Sequence, residues 1–313
     1  MMPDQLDPTA NILPRIRAIV LLGGSVRPTH LSAAIGRSIL ELPITAGRSL
    51  LDLWCDQASQ LARLANRQLL VRVLIDKAVL PPKGVADHPQ IELQMHRDPF
   101  ELRGTGGILK DATADLADDD YLIVAAANQV INEPLARVAE SLASLGGDVG
   151  VVAHEEGQPS NIMLIRRGVL KGIQDIGFSD LKEQAMPAIA RNHAVKVKFY
   201  SQAIGMPVRE LKDYISAVRW YHRSLKHDPQ SANPFAEDGV ATFGIVEEGA
   251  TFAATAQALD SVVLAGAKVG RNVNLVRSVI CPGAIVPDGV TVMDQVISAD
   301  SPRTAFRRQA SGV

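Results

Sequence analysis

The chain has 313 residues, 47% of them hydrophobic and 21% charged, and 32 Lys and Arg stand against 34 Asp and Glu for a formal charge of −2. That length and apolar content can bury a large core and divide into one large and one smaller domain, which excludes disorder as the default. The mixed signs leave no basic stripe for a nucleic-acid backbone and no polybasic flank for a membrane surface, so neither is expected as a partner.

No run of about 18 apolar residues occurs anywhere, so no membrane span is expected. Met1 to Pro14 carries acids and prolines instead of a basic start followed by an apolar stretch. The two cysteines, Cys55 and Cys281, make neither a CxxC pair nor a disulfide framework. Together these features lead us to expect a cytoplasmic protein.

The first strong pattern is Ile16 to Leu22, an apolar strand that breaks into Gly23-Gly24-Ser25-Val26-Arg27. Such a break is either a tight strand-to-helix turn or a phosphate cradle, in which glycine amides approach the anion and Arg27 offers a fork of donors. Leu50, Trp54, Ala58, Leu61 and Ala65 recur at helical spacing and predict an amphipathic helix over residues 50–64. Leu69 to Ile75 reads as a strand, Pro81 to Gly84 as a loop and Ile91 to Met95 as a short strand. Tyr121 to Ala127 is an apolar run of strand length. Pro134 to Leu145 is a helix that opens on proline and stops at Gly146-Gly147, and Val149 to Ala153 is a further strand. Ile162 to Ile165 and Val195 to Tyr200 follow as strands, with helices expected over 180–190 and 209–225 and a linker over His227 to Asn233. Strands alternating with helices imply a mostly parallel sheet covered on both faces.

Past about residue 240 the texture changes. Long helical periods vanish, and Leu264 to Val292 carries an imperfect six-residue rhythm of Val, Ile, Leu and Gly. Hexads of this kind suggest a parallel β-helix, three to each coil, with a small β-sandwich or irregular β-cap as the alternative. A short β-helix needs a surface to cover its ends.

In this order the segments resemble the sugar-1-phosphate nucleotidyltransferases, or NDP-sugar pyrophosphorylases, over most of the chain. Leu42-Pro43 and Gly47-Arg48-Ser49-Leu50-Leu51 are similar to that family's Leu-Pro and Gly-Lys-Pro-Leu-Leu. Leu102-Arg-Gly104-Thr105-Gly106-Gly107-Ile-Leu is similar to its Leu-Gly-Thr-Ala-Gly-Ala-Leu loop, which faces the nucleotide base. Phe178 to Pro187 is similar to its Lys-Glu-Gln-Leu-Ile-Pro helix, and Val276 to Val286 to the β-helix edge of its longer members.

The resemblance implies an α/β domain over 16–232 of nucleotidyltransferase type and a short left-handed parallel β-helix of hexapeptide type over 233–300, with tails at 1–15 and 301–313. It further implies that Gly23, Gly24, Ser25 and Arg27 hold a nucleoside triphosphate. Gly104, Thr105, Gly106 and Gly107 would approach the base, and Asn128 would lie near the sugar or metal. Pyrophosphate would leave as a sugar 1-phosphate attacks the α-phosphate, with Mg²⁺ between the phosphates.

The sequence departs from the family at the metal. Asn128 stands where the first metal aspartate is expected, Ala203 in Tyr200-Ser-Gln-Ala-Ile-Gly205 stands for the second, and no lysine follows the shortened turn, where Arg37 is the nearest cation. Loss of one pre-organised charge stabiliser costs ~10²–10³ in rate. Two readings follow: a nucleotidyltransferase with a divergent site, or a subunit that binds a nucleotide or NDP-sugar without chemistry. The latter would regulate or scaffold a second copy or an active paralogue through the β-helix. Asp118 to Asp120, Glu155-Glu156, Lys182-Glu183, His154 and His193 are read as ordinary surface groups.

Overall fold

A computed structural model describes residues 12–23, 30–75, 81–83, 88–97, 103–154, 159–225, 243–301 and 307–308. Gly24, Ser25, Arg27, Leu102, Glu155-Glu156 and the linker over His227 to Asn233 lie outside the described residues.

In chain order the elements are β1 (Ile16–Leu22), α1 (His30–Ile35), β2 (Pro43–Thr45), β3 (Arg48–Ser49), α2 (Leu50–Leu64), β4 (Leu69–Ile75) and β5 (Ile91–Arg97). There follow α3 (Gly104–Asp111), β6 (Tyr121–Ala126), β7 (Gln129–Ile131), α4 (Leu135–Ala143), β8 (Val149–His154), β9 (Pro159–Arg166), α5 (Met186–Asn192), β10 (Val195–Tyr200), β11 (Gly205–Pro207) and α6 (Leu211–Leu225). The chain divides into two compact units, one drawn from residues 1–26, 51–127 and 133–205, the other from 27–50, 128–132 and 206–313.

The first unit is built on a seven-stranded sheet in the order β10-β8-β9-β6-β1-β4-β5. β9 runs antiparallel to both its neighbours, and every other pairing is parallel. Because side chains alternate along a strand, Ala18 and Val20 point with Leu122, Val124 and Met163 into a core that also holds Leu109 of α3 and Ile189 of α5. Gly150 points the other way, where an added Cβ would lie 3.3 Å from the Leu142 Cβ of α4. Helices therefore cover both faces, which is why β1, β4 and β6 read as continuous apolar runs instead of alternating ones.

Helix α2 buries four positions of the predicted stripe, Leu50, Trp54, Ala58 and Leu61, and the fifth, Ala65, is buried just beyond its end. It is anchored where Trp54 Nε1 donates to the Ala127 carbonyl at 2.8 Å, just past the carboxyl end of β6. Two elements differ from expectation. The single helix expected over 180–190 is a π turn over Leu181–Ala185 leading into α5, with the Asp180 side chain accepting from the Lys182 and Glu183 amides to start it. The expected base-facing loop is helical from Gly104, as α3.

In the second unit, α6 is tied to the β2–β3 hairpin, since Tyr214 Oη donates to the Pro43 carbonyl at 2.6 Å and His222 Nε2 bonds the Ile44 carbonyl at 2.9 Å. The carboxyl-terminal part of this unit consists of short parallel strands in three ladders. β12 (Gly244–Val246), β15 (Ser261–Val263), β18 (Val279–Ile280) and β21 (Val296–Ile297) form the first. β13 (Thr251–Phe252), β16 (Lys268–Val269) and β19 (Ile285–Val286) form the second. β14 (Gln257–Leu259), β17 (Asn274–Val276) and β20 (Val290–Met293) form the third, which β22 (Arg307–Arg308) joins antiparallel.

Partners within the parallel ladders lie 17 residues apart, one short of three even hexads, so the six-residue rhythm is a blurred reading of a 17-residue repeat. The corners repeat at the same interval. Gly249, Gly266 and Gly283 take φ of 86°, 83° and 77°, and Asp260, Arg277 and Asp294 take 48°, 46° and 55°. A stack of inward residues, among them Val269, Leu275 and Val286, fills the interior.

Candidate functional site

In an open α/β sheet, ligands bind outside the carboxyl ends of the parallel strands, at the point where strand order reverses. Here that point lies between β1, from which β4 and β5 continue to one side, and β6 on the other. Gly23 is the first residue past β1. Its amide donates to the Leu74 carbonyl at 2.7 Å, and an added Cβ would stand 3.3 Å from that oxygen and 3.5 Å from the Ala127 Cβ. The glycine is there because two strands close in on it, and its amide extends the sheet ladder instead of being left for a phosphate. Gly24, Ser25 and Arg27 fall outside the described residues, so the remainder of the expected cradle rests on sequence.

Helix α3 brings Gly104, Thr105, Gly106 and Gly107 together at its first turn. The Gly106 and Gly107 amides are among the orphan donors of that turn, and both point at the Ser179 carbonyl, at 2.9 and 3.4 Å. Gly104 sits at φ 67°, and a Cβ there would lie 2.6 Å from the same oxygen; at Gly106 the distance would be 3.0 Å. These glycines are thus accounted for by the close passage of Ser179, and the two amides are spent on the chain itself, not on a nucleotide base.

Thr105 completes the junction. Its hydroxyl donates to Asp180 Oδ2 at 3.1 Å and accepts from the Leu181 amide at 2.9 Å. Arg103, just before the helix and 7% exposed, forms a two-point ion pair with Asp111 at 2.9 and 2.8 Å and donates to the Gln174 carbonyl at 3.1 Å. Two of the segments that carried the resemblance are therefore joined by hydrogen bonds, between residues 103–107 and residues 179–181.

The remaining candidates are dispersed. Asn128 belongs to the second unit, where its carbonyl accepts from the Val208 amide at 2.7 Å. Ala203 is exposed. Arg37, the cation nearest the missing lysine, is paired with Glu247 at 2.6 Å. Asp118 pairs with Arg167 and Lys171, and Asp120 with Arg17. Among the described residues no group of three His, Cys, Asp or Glu side chains could hold a metal ion. Burial pushes the Cys281 thiol up to about 12, which leaves it protonated and unsuited as a nucleophile.

Sequence reasoning missed a second set of polar groups. Asn161, the third residue of β9, sits at φ 61°, and its Oδ1 accepts from Lys182 Nζ. Ser160 beside it is buried with its hydroxyl unpartnered, as is His154 Nδ1 at the end of β8. Lys182 is exposed, as its reading as a surface group expects, and partial desolvation pulls its ammonium below the usual lysine range, with Asp180 opposing the shift. The one sequence signal was Asn161 itself, an Asn breaking the polar edge of an apolar strand.

No family model matches the chain, and no curated protein matches it. Among solved structures, the chain is similar to the rv0371c homologue of Mycobacterium tuberculosis from mycobacterium sp. strain JC1, at 16% identity over 67% of this chain and 98% of that one, with a TM-score of 0.45. It is likewise similar to HddC from Yersinia pseudotuberculosis, at 14% identity over 66% of this chain and 100% of that one, with a TM-score of 0.46. The class that the fold itself defines is a mixed α/β protein with a mostly parallel central sheet and carboxyl-terminal parallel strands. No helix among the described residues is long and apolar enough to cross a membrane.

Proposed function

We propose that this chain is a nucleotide- or NDP-sugar-binding protein of the sugar-1-phosphate nucleotidyltransferase type in which metal-dependent nucleotidyl transfer has been lost. The observation that carries the reading is the hydrogen-bonded junction of α3 with Ser179–Leu181, which joins two family-like segments beside a parallel sheet whose order reverses at β1 and β6. The three ladders are read as a short left-handed parallel β-helix of hexapeptide type, shortened by one residue per coil. Through it the chain would pair with a second copy or an active relative.

The loss of chemistry follows from the donor set. Mg²⁺ between phosphates wants hard carboxylate oxygens; Asn128 supplies a neutral amide, Ala203 supplies nothing, and the described residues hold no alternative cluster. The residues do not fit the ion, so no step is assigned to it. What the chain would retain in this reading is binding, at a rim formed by the ends of β1 and β6, with the cation of Arg27 expected from the sequence.

The test is thermal stabilisation of the full chain by a panel of nucleoside triphosphates and NDP-sugars in EDTA, read beside a pyrophosphate assay with Mg²⁺ and sugar 1-phosphates. One nucleotide class should stabilise the protein, by about 2.7 kcal/mol at a hundredfold excess over Kd, and Arg27→Ala should remove the effect without pyrophosphate appearing in any well. Sustained pyrophosphate release would return the protein to the enzymes.

A further inference from the structure

We propose that Lys182, Asn161 and Ser160 form an anion subsite that takes a phosphoryl group by direct charge and hydrogen bonding, without a divalent cation. The inference rests on the binding reading above and names residues that would serve it.

The backbone comes first. Val151 of β8 pairs with Met163 of β9 but Ala153 pairs with Pro159, so β9 carries extra residues across that step and forms a bulge. Asn161 lies in the bulge in the left-handed region, at φ 61°, where Asn is better tolerated than most side chains. Bulges re-aim side chains and recur beside functional sites. Here the bulge lets Asn161 Oδ1 receive a hydrogen bond from Lys182 Nζ, which reaches over from the turn that Asp180 caps.

Position comes next. Ile162 pairs with Ala125 of β6, and Leu22 of β1 pairs with Ala126, so the bulge opens level with the ends of the two strands at which the sheet order reverses. All of these residues belong to the first unit.

Two independent features of the cluster point to an absent partner. Ser160 is only 5% exposed, yet its hydroxyl has no hydrogen-bond partner among the described residues, a condition that folded proteins avoid unless something else supplies the bond. Lys182 is exposed, and its ammonium donates to a neutral amide oxygen instead of a carboxylate. Its charge is therefore left for an anion, with which it would form a charge-assisted hydrogen bond. Asn161 then acts as a positioning residue that aims the ammonium. The phosphoryl group of a nucleotide or of a phosphorylated sugar fits this chemistry, and the cation stands in for the metal that the chain's carboxylates do not support.

The test is an NMR titration of the ¹⁵N-labelled full chain with inorganic phosphate in EDTA, following the Lys182 side-chain ammonium and the Asn161 side-chain amide, then repeated with ADP and with glucose 1-phosphate to learn which carrier brings the group. Saturable shifts at both signals are expected, unchanged by added Mg²⁺. Lys182→Gln, an exposed substitution, should weaken phosphate binding at least tenfold, and Lys182→Arg should restore most of it. Unmoved signals, equal affinity in Lys182→Gln, or a requirement for Mg²⁺ would overturn the subsite. A nucleotide that binds while both signals stay still also overturns it, and leaves the binding reading standing. Phosphate at Lys182 with every nucleotide silent keeps the subsite and removes that reading.

Discussion

At Gly104 a single hydrogen atom decides the local structure. The residue combines φ 67° with a Ser179 carbonyl that would stand 2.6 Å from any Cβ, so an alanine meets strain and collision together. Gly104→Ala should cost at least about 2 kcal/mol in chemical denaturation, whereas Gly172→Ala, with nothing within 4 Å of its Cβ position, should cost little. Charge acts at the same scale. Arg72 is buried and bonds both Asp115 oxygens, at 2.7 and 2.6 Å. The Arg72 guanidinium therefore holds the Asp115 carboxyl below the usual carboxylate range, with burial pulling weakly the other way. A carboxyl whose folded pKa is depressed contributes stability that is present above its unfolded value of about 3.9 and lost as pH falls through the folded one. Urea midpoints measured down an acid series should drop across that window, and Asp115→Asn should flatten part of the drop. An unchanged slope would show that the pair carries no linkage.

Among the elements, the coil ladders offer the sharpest test. Ser261 and Ser278 lie one 17-residue repeat apart, and each hydroxyl donates to the carbonyl two residues back while accepting the amide 17 residues on. Ser278→Ala leaves the Gln295 amide without its acceptor, which should destabilise the protein by about 1–3 kcal/mol in urea. A loss below ~0.5 kcal/mol would mean that the ladder stands on its apolar stack alone. Tyr214→Phe makes the parallel case for α6, orphaning the buried Pro43 carbonyl at a similar cost of about 1–2 kcal/mol. Most of this architecture was legible in the sequence where burial imposes a period. The helix expected over 50–64 and the runs 69–75 and 195–200 match their elements residue for residue. The 17-residue repeat blurred into hexads because the corners fall on unlike residues: φ near 50° is met by Asp260, Arg277 and Asp294, which share no composition signal. The Asp180 cap of the turn at Leu181–Ala185 is local, but the bond that holds Asp180 to Thr105 spans 75 residues and could not be read from the sequence.

For the molecule as a whole, the candidate site was legible as motifs but not as partners. The glycines of 104–107 read as ligand contacts because glycine marks close approach of any kind; in the fold Ser179 comes close to Gly104 and Gly106, and the Arg103 side chain to Gly107. Ser160 and Asn161 carried no motif, and Lys182 stood out only as part of the 178–187 segment, since an unpartnered hydroxyl and a bulge exist only once β8 and β9 have come together. The departure from the resembled family's metal aspartates, by contrast, is read from Asn128 and Ala203 in the sequence alone. The central claim is binding without transfer, and ³¹P NMR of the full chain mixed with a nucleoside triphosphate, a sugar 1-phosphate and Mg²⁺ reads both halves at once. The account predicts nucleotide phosphorus signals that shift and broaden equally with and without EDTA, and no pyrophosphate signal over time. Growth of a pyrophosphate signal, or nucleotide signals that stay unmoved for every base, would contradict it.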